Sequence, residues 1–216
     1  MEKLKYLFFV MLAVCSITVC SCGDDDDEVG TAPAPDAAGS WTDTRDGKEY
    51  GWVRYGNLEW TTSNLCYVPE VGSTLPSLAP LAPNVYDDGI ATNYYKSFGL
   101  LYNYEAALAA IPDGWRLPTN DDWAHLESIT NGDIQKALNL GLGGYYVNEE
   151  FFQQIHPNVD YYAYIYGFYW SSSVDNSKPG NNFAFYRKIV YNLKGSECDS
   201  MDKTYYMSVR LVRDAK

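Results

Sequence analysis

The sequence predicts an α+β domain, and three observations predict it. Runs that alternate every second residue stand near both ends of the chain, two stretches of helical period stand together between them, and much of the remainder is rich in Gly, Pro and Tyr with neither period. The order excludes a repeat protein and a doubly wound sheet, which would interleave strands with helices throughout.

Lys48 to Trp60, KEYGWVRYGNLEW, gives two short extended runs around Gly56 and Asn57, with Tyr55 and Leu58 facing each other across a two-residue hairpin. Val68 to Asn84 carries four prolines and sustains no period, so it reads as a long surface loop. Leu101 to Ile111 has helical spacing with Leu101, Tyr104, Leu108 and Ile111 on one face, and Pro112, Asp113 and Gly114 stop it. A second helix starts at Thr119, whose hydroxyl suits the N-cap. Asp122 stands three residues later in the capping-box position, and Trp123, Leu126 and Thr130 form the inward face. Beyond Gly141 the pattern dissolves until YIYGFYWSSS, Tyr164 to Ser173. Phe183 to Asn192 then alternates, with Phe183, Phe185 and Ile189 on one side. Thr204 to Asp214 alternates too, Met207, Val209 and Leu211 opposing Ser208 and Arg210.

Ahead of the domain, residues 1–21 read as a cleaved secretory signal: two lysines precede a short apolar run, too brief for the ~20 residues of a membrane span. Val19, Cys20 and Ser21 before Cys22 resemble a bacterial lipobox. That resemblance implies that Cys22 becomes a lipidated N-terminus carrying acyl chains such as palmitate, with multiple chains giving stable membrane anchoring. Residues 22–40 then form a tether, because the acids Asp24 to Glu28 repel one another and the membrane, and Thr31 to Ser40 is Pro-, Ala- and Gly-rich. The acidic run next to the cysteine is similar to the signal for surface display in Bacteroidetes lipoproteins. The folded part is expected over residues 41–216 as a single domain.

The chain has 16 Lys and Arg against 28 Asp and Glu, a formal net charge of −12, which argues against nucleic acid as a partner. With Cys22 acylated and the leader removed, Cys66 and Cys198 are the remaining thiols. In an exported protein they form a disulfide if the fold brings their Cα atoms within ~7 Å, a condition the spacing leaves open.

Four ordered blocks carry a family resemblance: DTRDGKEYGWVRYGNLEWTTSNL, FGLLYNYEAALAAIPDGWRLPTNDDWAHL, GFYWSSS and SVRLVRD, from Asp43 to Asp214. They resemble the Fibrobacter succinogenes major paralogous domain, found in Bacteroidetes lipoproteins. The resemblance implies a C-type-lectin-like fold with two helices, short antiparallel strands, paired terminal strands and long irregular loops. Members often carry cysteines where this chain has Ile111 and Leu211, which implies that a disulfide has been exchanged for packing. Arg116 to Trp123, RLPTNDDW, also resembles a block of the formylglycine-generating enzymes, whose copper-binding cysteine pair has only Cys198 to match it here. A shared scaffold block does not transfer an activity.

The two histidines, His125 and His156, fall on a solvated helix face and in a polar loop, and no cofactor or metal set is expected around them. Asp87 with Asp88, Asp121 with Asp122, and Glu149 with Glu150 read as loop and helix-start charges. Asp175 to Asn182 lacks the ligand pattern of a calcium loop. Arg116 and Arg210 read as scaffold anchors. The tyrosines Tyr145, Tyr146, Tyr161, Tyr162, Tyr164, Tyr166 and Tyr169 crowd one irregular stretch. Such rings either fill a strand-poor core or offer a shelf to a sugar or protein epitope, and core filling is the commoner use. The expected function is a surface-exposed outer-membrane lipoprotein, not an enzyme, whose domain binds a glycan or protein or serves a fimbria. The alternative is a degenerate or uncharacterised enzyme on a formylglycine-generating-enzyme-like scaffold.

Overall fold

The computed structural model describes residues 32–68, 98–147, 150–152 and 165–216, with side chains from 146 to 152 left out. The signal, Cys22, the acidic run, His156, Tyr161, Tyr162, Tyr164, Asp87 and Asp88, and nearly all of the proline-rich loop lie outside the described residues. The described part is α+β, as its sequence predicts. In chain order it runs β1 (Ala37–Thr42), β2 (Glu49–Tyr55), β3 (Leu58–Thr61), α1 (Tyr104–Ala109), α2 (Asn120–Ile129), α3 (Ile134–Leu138), β4 (Tyr145–Val147), β5 (Glu150–Phe152), β6 (Tyr166–Val174), β7 (Phe183–Val190), β8 (Glu197–Asp202) and β9 (Val212–Asp214). A 3-10 turn, Pro179–Asn181, lies between β6 and β7. No described helix is long and apolar enough to cross a membrane.

The strands form three antiparallel sheets, ordered β1-β2-β3-β9, β4-β5 and β6-β7-β8. The expected hairpin joins β2 to β3 with Tyr55 opposite Leu58, and Gly56 takes a left-handed φ of +61° at the first turn position. Part of the stretch expected as tether is strand: Ala37 to Ser40 belong to β1, paired with Gly51 to Arg54 of β2. Gly39 is needed there, because a Cβ would meet Cζ2 of Trp52 at 2.5 Å. Tyr55 Oη donates to the carbonyl of Pro33 and the backbone N–H of Gly56 to Asp36, so the order reaches back before β1.

The two ends of the domain share one sheet, although β9 pairs with β3 and not with β1. The segment leading into β9 is the spine of the fold. Met207 bridges to Tyr102, Ser208 to Tyr169 of β6, the N–H of Leu65 bonds the carbonyl of Val209, and Val212 bridges to Arg116. All six residues from Met207 to Val212 are buried, so the alternation read there separates two interiors, not an inside from an outside. Met207, Val209 and Leu211 join a first core with Tyr50, Tyr102, Trp115, Leu117 and Trp170. Val212 joins a second with Trp60, Trp123, Leu126, Leu138 and Ile189. Ile111 packs against the first core, which contains Leu211, in keeping with packing in place of a disulfide there.

Helix α2 forms as its sequence requires: the Thr119 hydroxyl accepts from the N–H of Asp122, whose carboxylate accepts from the N–H of Thr119, and Trp123, Leu126 and Thr130 face inward. Helix α1 is shorter than its spacing predicts. Asn103 caps it and accepts from the N–H of Ala106, so Leu101 and Tyr102 precede it as extended chain. The alanines turn inward against the first core and Leu108 is left exposed, since Ala106, Ala107 and Ala110 allow a closer approach than Leu. In β7 the expected face also shifts. Ala184 and Tyr186 enter the first core while Arg187 and Ile189 are buried on the other side, leaving Phe183 and Phe185 half-buried. The third helix, α3, was not expected; its C-cap, Asn139, sits in the left-handed region at φ 54°.

Candidate functional site

Of the tyrosines singled out by sequence, the described ones divide. Tyr169 is core: it is fully buried, and its hydroxyl donates to the carbonyl of Gly141 at 2.5 Å. Tyr145 and Tyr166 are half-buried and meet through Phe168, whose ring lies edge-on to Tyr145 at 4.9 Å and to Tyr166 at 6.3 Å. Tyr205 closes on Tyr145 at 5.4 Å, and the ammonium of Lys188 stands 4.6 Å over the Tyr166 ring. Burial raises the Tyr145 hydroxyl above the ordinary tyrosine range. Tyr146 lies on β4 opposite Phe151, and the other tyrosines of the set fall outside the described residues.

The two thiols do not pair. Cys66 is buried, its N–H donating to the Tyr50 hydroxyl and its Sγ facing the carbonyl of Asn64 at 3.4 Å, while Cys198 is exposed on β8 opposite Arg187. The strand pairing that fixes Cys198 at the sheet edge holds it away from the interior site where Cys66 packs. His125 is exposed on α2, and among the described residues no group of three or more His, Cys, Asp or Glu is placed to hold a metal ion.

The described acids with shifted pKa values are each committed to partners. Asp43 is held below the usual carboxylate range by hydrogen bonds from Arg45. Burial alone would push Glu59 upward, but it is gripped by Arg54 and Arg213 and falls below that range. Asp122 is likewise pushed up by burial and pulled further down by Arg116 and Thr119. Asp175 is lowered by the hydroxyls of Ser177 and Ser200. Arg213 also stacks on Trp115 at 4.3 Å, tying β9 to the chain ahead of α2. Arg210 is an interior hub, as its sequence context suggests. Only 2% exposed, it donates to Asn64 Oδ1, to the carbonyl of Thr61, and to the carbonyls of Leu138 and Asn139 at the end of α3.

One groove of about 380 Å³ opens between α3 and the turn joining β7 to β8. Asp133, Gln135, Lys136 and Asn139 line one wall, Asn192, Leu193 and Lys194 the other, with Leu140 between them. The walls are fastened together beneath. The N–H of Gly195 donates to the carbonyl of Gly132 at 2.6 Å, and the N–H of Ser196 donates to Glu127 Oε1 at 2.6 Å. Gly195 has φ +77°, and a Cβ there would meet Glu127 Oε1 at 2.7 Å.

The family model of the Fibrobacter succinogenes major domain matches residues 53–162, about half of the chain. The chain belongs to that family. No curated protein and no solved structure matches it.

The matched portion of the Fibrobacter succinogenes major domain holds β3, α1, α2 and α3, hence the inner wall of the groove. The other wall, Asn192 to Lys194, follows the match. The groove residues were missed by sequence reasoning because more than fifty positions separate the two walls and each looks like ordinary polar turn sequence. Asn139 and Asn192 both adopt left-handed φ, of 54° and 56°, as Asn131 and Asn181 do outside the groove, so asparagine in the sequence points to turns and not to this site.

Proposed function

We propose that this chain is a lipoprotein anchored through Cys22 to the outer membrane, displayed at the cell surface, whose domain binds a glycan or protein without transforming it. A C-type-lectin-like arrangement is part of this proposal; it is supported by the sharing of one sheet by β1 and β9. The anchor rests on the lipobox-like Val19 to Cys22 and the acid run after it. The single observation that carries the binding role is the half-buried pair Tyr145 and Tyr166, packed on Phe168 at the start of β6. Such rings combine an apolar face with a polar tip, and they flank the segment that carries Tyr161, Tyr162 and Tyr164.

The test uses the full mature chain on glycan and protein arrays, beside Tyr161→Ala and Tyr164→Ala variants. Retention that falls in the variants supports the reading. Absence of any retention, or turnover of a substrate that depends on Cys198 or on added metal, would overturn it. Mass spectrometry of the mature chain is expected to find an acylated Cys22 at its N-terminus, and an unmodified start contradicts the anchor.

A further inference from the structure

The sheet shared by the two ends of the domain has an open edge. β1 is its outer strand, paired with β2 over six residues without a register shift. Ala38, Gly39, Ser40 and Thr42 are exposed, and the strand carries neither a charge nor a proline. The N–H of Asp43 turns inward to the carbonyl of Lys48, and the carbonyl of Gly51, opposite Ser40, turns away from β1 to the N–H of Thr62. By alternation, the backbone groups of Ala38, Ser40 and Thr42 point outward. Among the described residues, the bond made to them is that from the indole N–H of Trp52 to the carbonyl of Ser40, at 3.2 Å, and a carbonyl can accept a second. The chain just ahead of β1 keeps to the β2 side, where the N–H of Asp36 donates to the carbonyl of Arg54 and the carbonyl of Pro33 accepts from Tyr55.

An edge of this kind is a template for another strand. The outer strands elsewhere in the two larger sheets are guarded. β6 is bridged on its outer side by Gly144 and Ser208, and β9 by Arg116. β8 carries Glu197, Asp199 and Asp202 along its length.

We propose that β1 is an interaction edge whose partner is a second copy of this chain, the two β1 strands pairing antiparallel about a two-fold axis at Ser40 and joining two four-stranded sheets into one. This strand suits pairing with itself. With Ser40 opposite Ser40 of the partner subunit, Ala38 meets Thr42, Gly39 meets Trp41, Ala37 meets Asp43 and Asp36 meets Thr44, so no like charges oppose each other on a chain of formal charge −12. The same operation on β8 would set acid against acid. Gly39 and Trp41 also match on the aromatic side. Trp52 lies across Gly39, where a Cβ would meet its Cζ2 at 2.5 Å, and Trp41 and Trp52 are half-buried on one face of the sheet. The pairing sets Trp41 of each copy beside Trp52 of the other and covers apolar surface that the single chain leaves to solvent.

The two chains enter this seam from opposite ends, roughly 20 Å apart for six residues at ~3.3 Å each. Residues 22–36 can span up to about 50 Å when extended, so two copies anchored at Cys22 can share one membrane and one seam. The surface is distinct from the tyrosines of the binding reading, and the inference stands whether or not they hold a ligand.

Sedimentation equilibrium of the full mature chain in density-matched detergent, over a range of protein concentrations, tests it. The mass is expected to rise from one copy to two and stop, because pairing consumes the open edge. Ser40→Lys and Ser40→Glu each place like charges on the axis and are expected to weaken the association about tenfold, while an equal mixture of the two restores it. Ser40 is exposed, so an unchanged thermal midpoint shows that each variant keeps the fold. Without any substitution, amide exchange at Ala38, Ser40 and Thr42 is expected to slow as concentration rises. One copy at every concentration, assemblies beyond two copies, exchange at those amides that ignores concentration, or a mixture as weak as its components overturns the proposal. Both variants keep the parent's N-terminus, so association unaltered in them would assign the pair to a shared micelle and overturn it too.

Discussion

Helix α3 has an inner and an outer side, and the two treat polar groups in opposite ways. On the inner side Arg210 reaches the backbone carbonyls of Leu138, Asn139 and Thr61 and the Oδ1 of Asn64, so that a guanidinium buried to 2% exposure has partners on two separate segments. On the outer side the Gln135 and Asn139 side chains line an open groove, and Asp133 there is paired with the Lys136 ammonium at 3.2 Å. The difference teaches where to look for function in a domain without an obvious reactive constellation. Polar groups with buried partners hold the fold, while those on an open wall are solvated until a ligand replaces the water.

The comparison breaks most visibly at the hub. Arg210→Met leaves four acceptors without their donor, and at ~1–3 kcal/mol for each unsatisfied buried group a loss of at least ~4 kcal/mol is expected in urea denaturation. Arg210→Lys should recover little, because one ammonium cannot span the fork of contacts that the guanidinium makes.

Glu59 gives the next effect. It is buried between Arg54 and Arg213, and Glu59→Gln removes the charge both need, for a loss of ~3 kcal/mol. Its pH signature follows from the direction of its shift. Because the folded carboxyl ionises below the unfolded one, its contribution is fully present above the ordinary glutamate pKa of ~4.3 and is lost as pH falls through the lower folded value. Asp122 and Asp43 act in the same sense. Stability should therefore be flat with respect to these groups near neutrality and fall in acid, and Glu59→Gln should shallow that fall.

Thr119→Ala is smaller, about 1 kcal/mol, from loss of the hydroxyl cap of α2. Smallest of all, Lys194→Ala should stay within ~0.5 kcal/mol of the parent, since it is an exposed residue lining an open groove. A larger loss there would sharpen the comparison against us, by moving the groove into the scaffold.

Much of this fold was legible where local rules act alone. The hairpin at Gly56 and the capping box from Thr119 to Asp122 formed as their residues require. Legibility failed where burial came from both sides. Ser208 and Arg210 look like an outward face only if the strand has one, and the segment instead runs between two cores. It failed again at α1, where helical spacing favoured Leu108 but close packing selected Ala106, Ala107 and Ala110. The strand Ala37–Thr42 was hidden because its residues have weak strand preference, and β2 and the fit of Gly39 under Trp52 supply what they lack. Of the candidate sites, single tyrosines could be named, but the meeting of Asp133 with Asn192 needs tertiary folding.

The central claim, that this domain holds a ligand without altering it, is tested most directly by recovering what the full mature chain retains from glycan and protein arrays, beside the Tyr161→Ala and Tyr164→Ala variants. Retention that falls in the variants, with the retained ligand returned intact, is the expected result. No retention, retention unchanged in both variants, or a ligand recovered as fragments would contradict it.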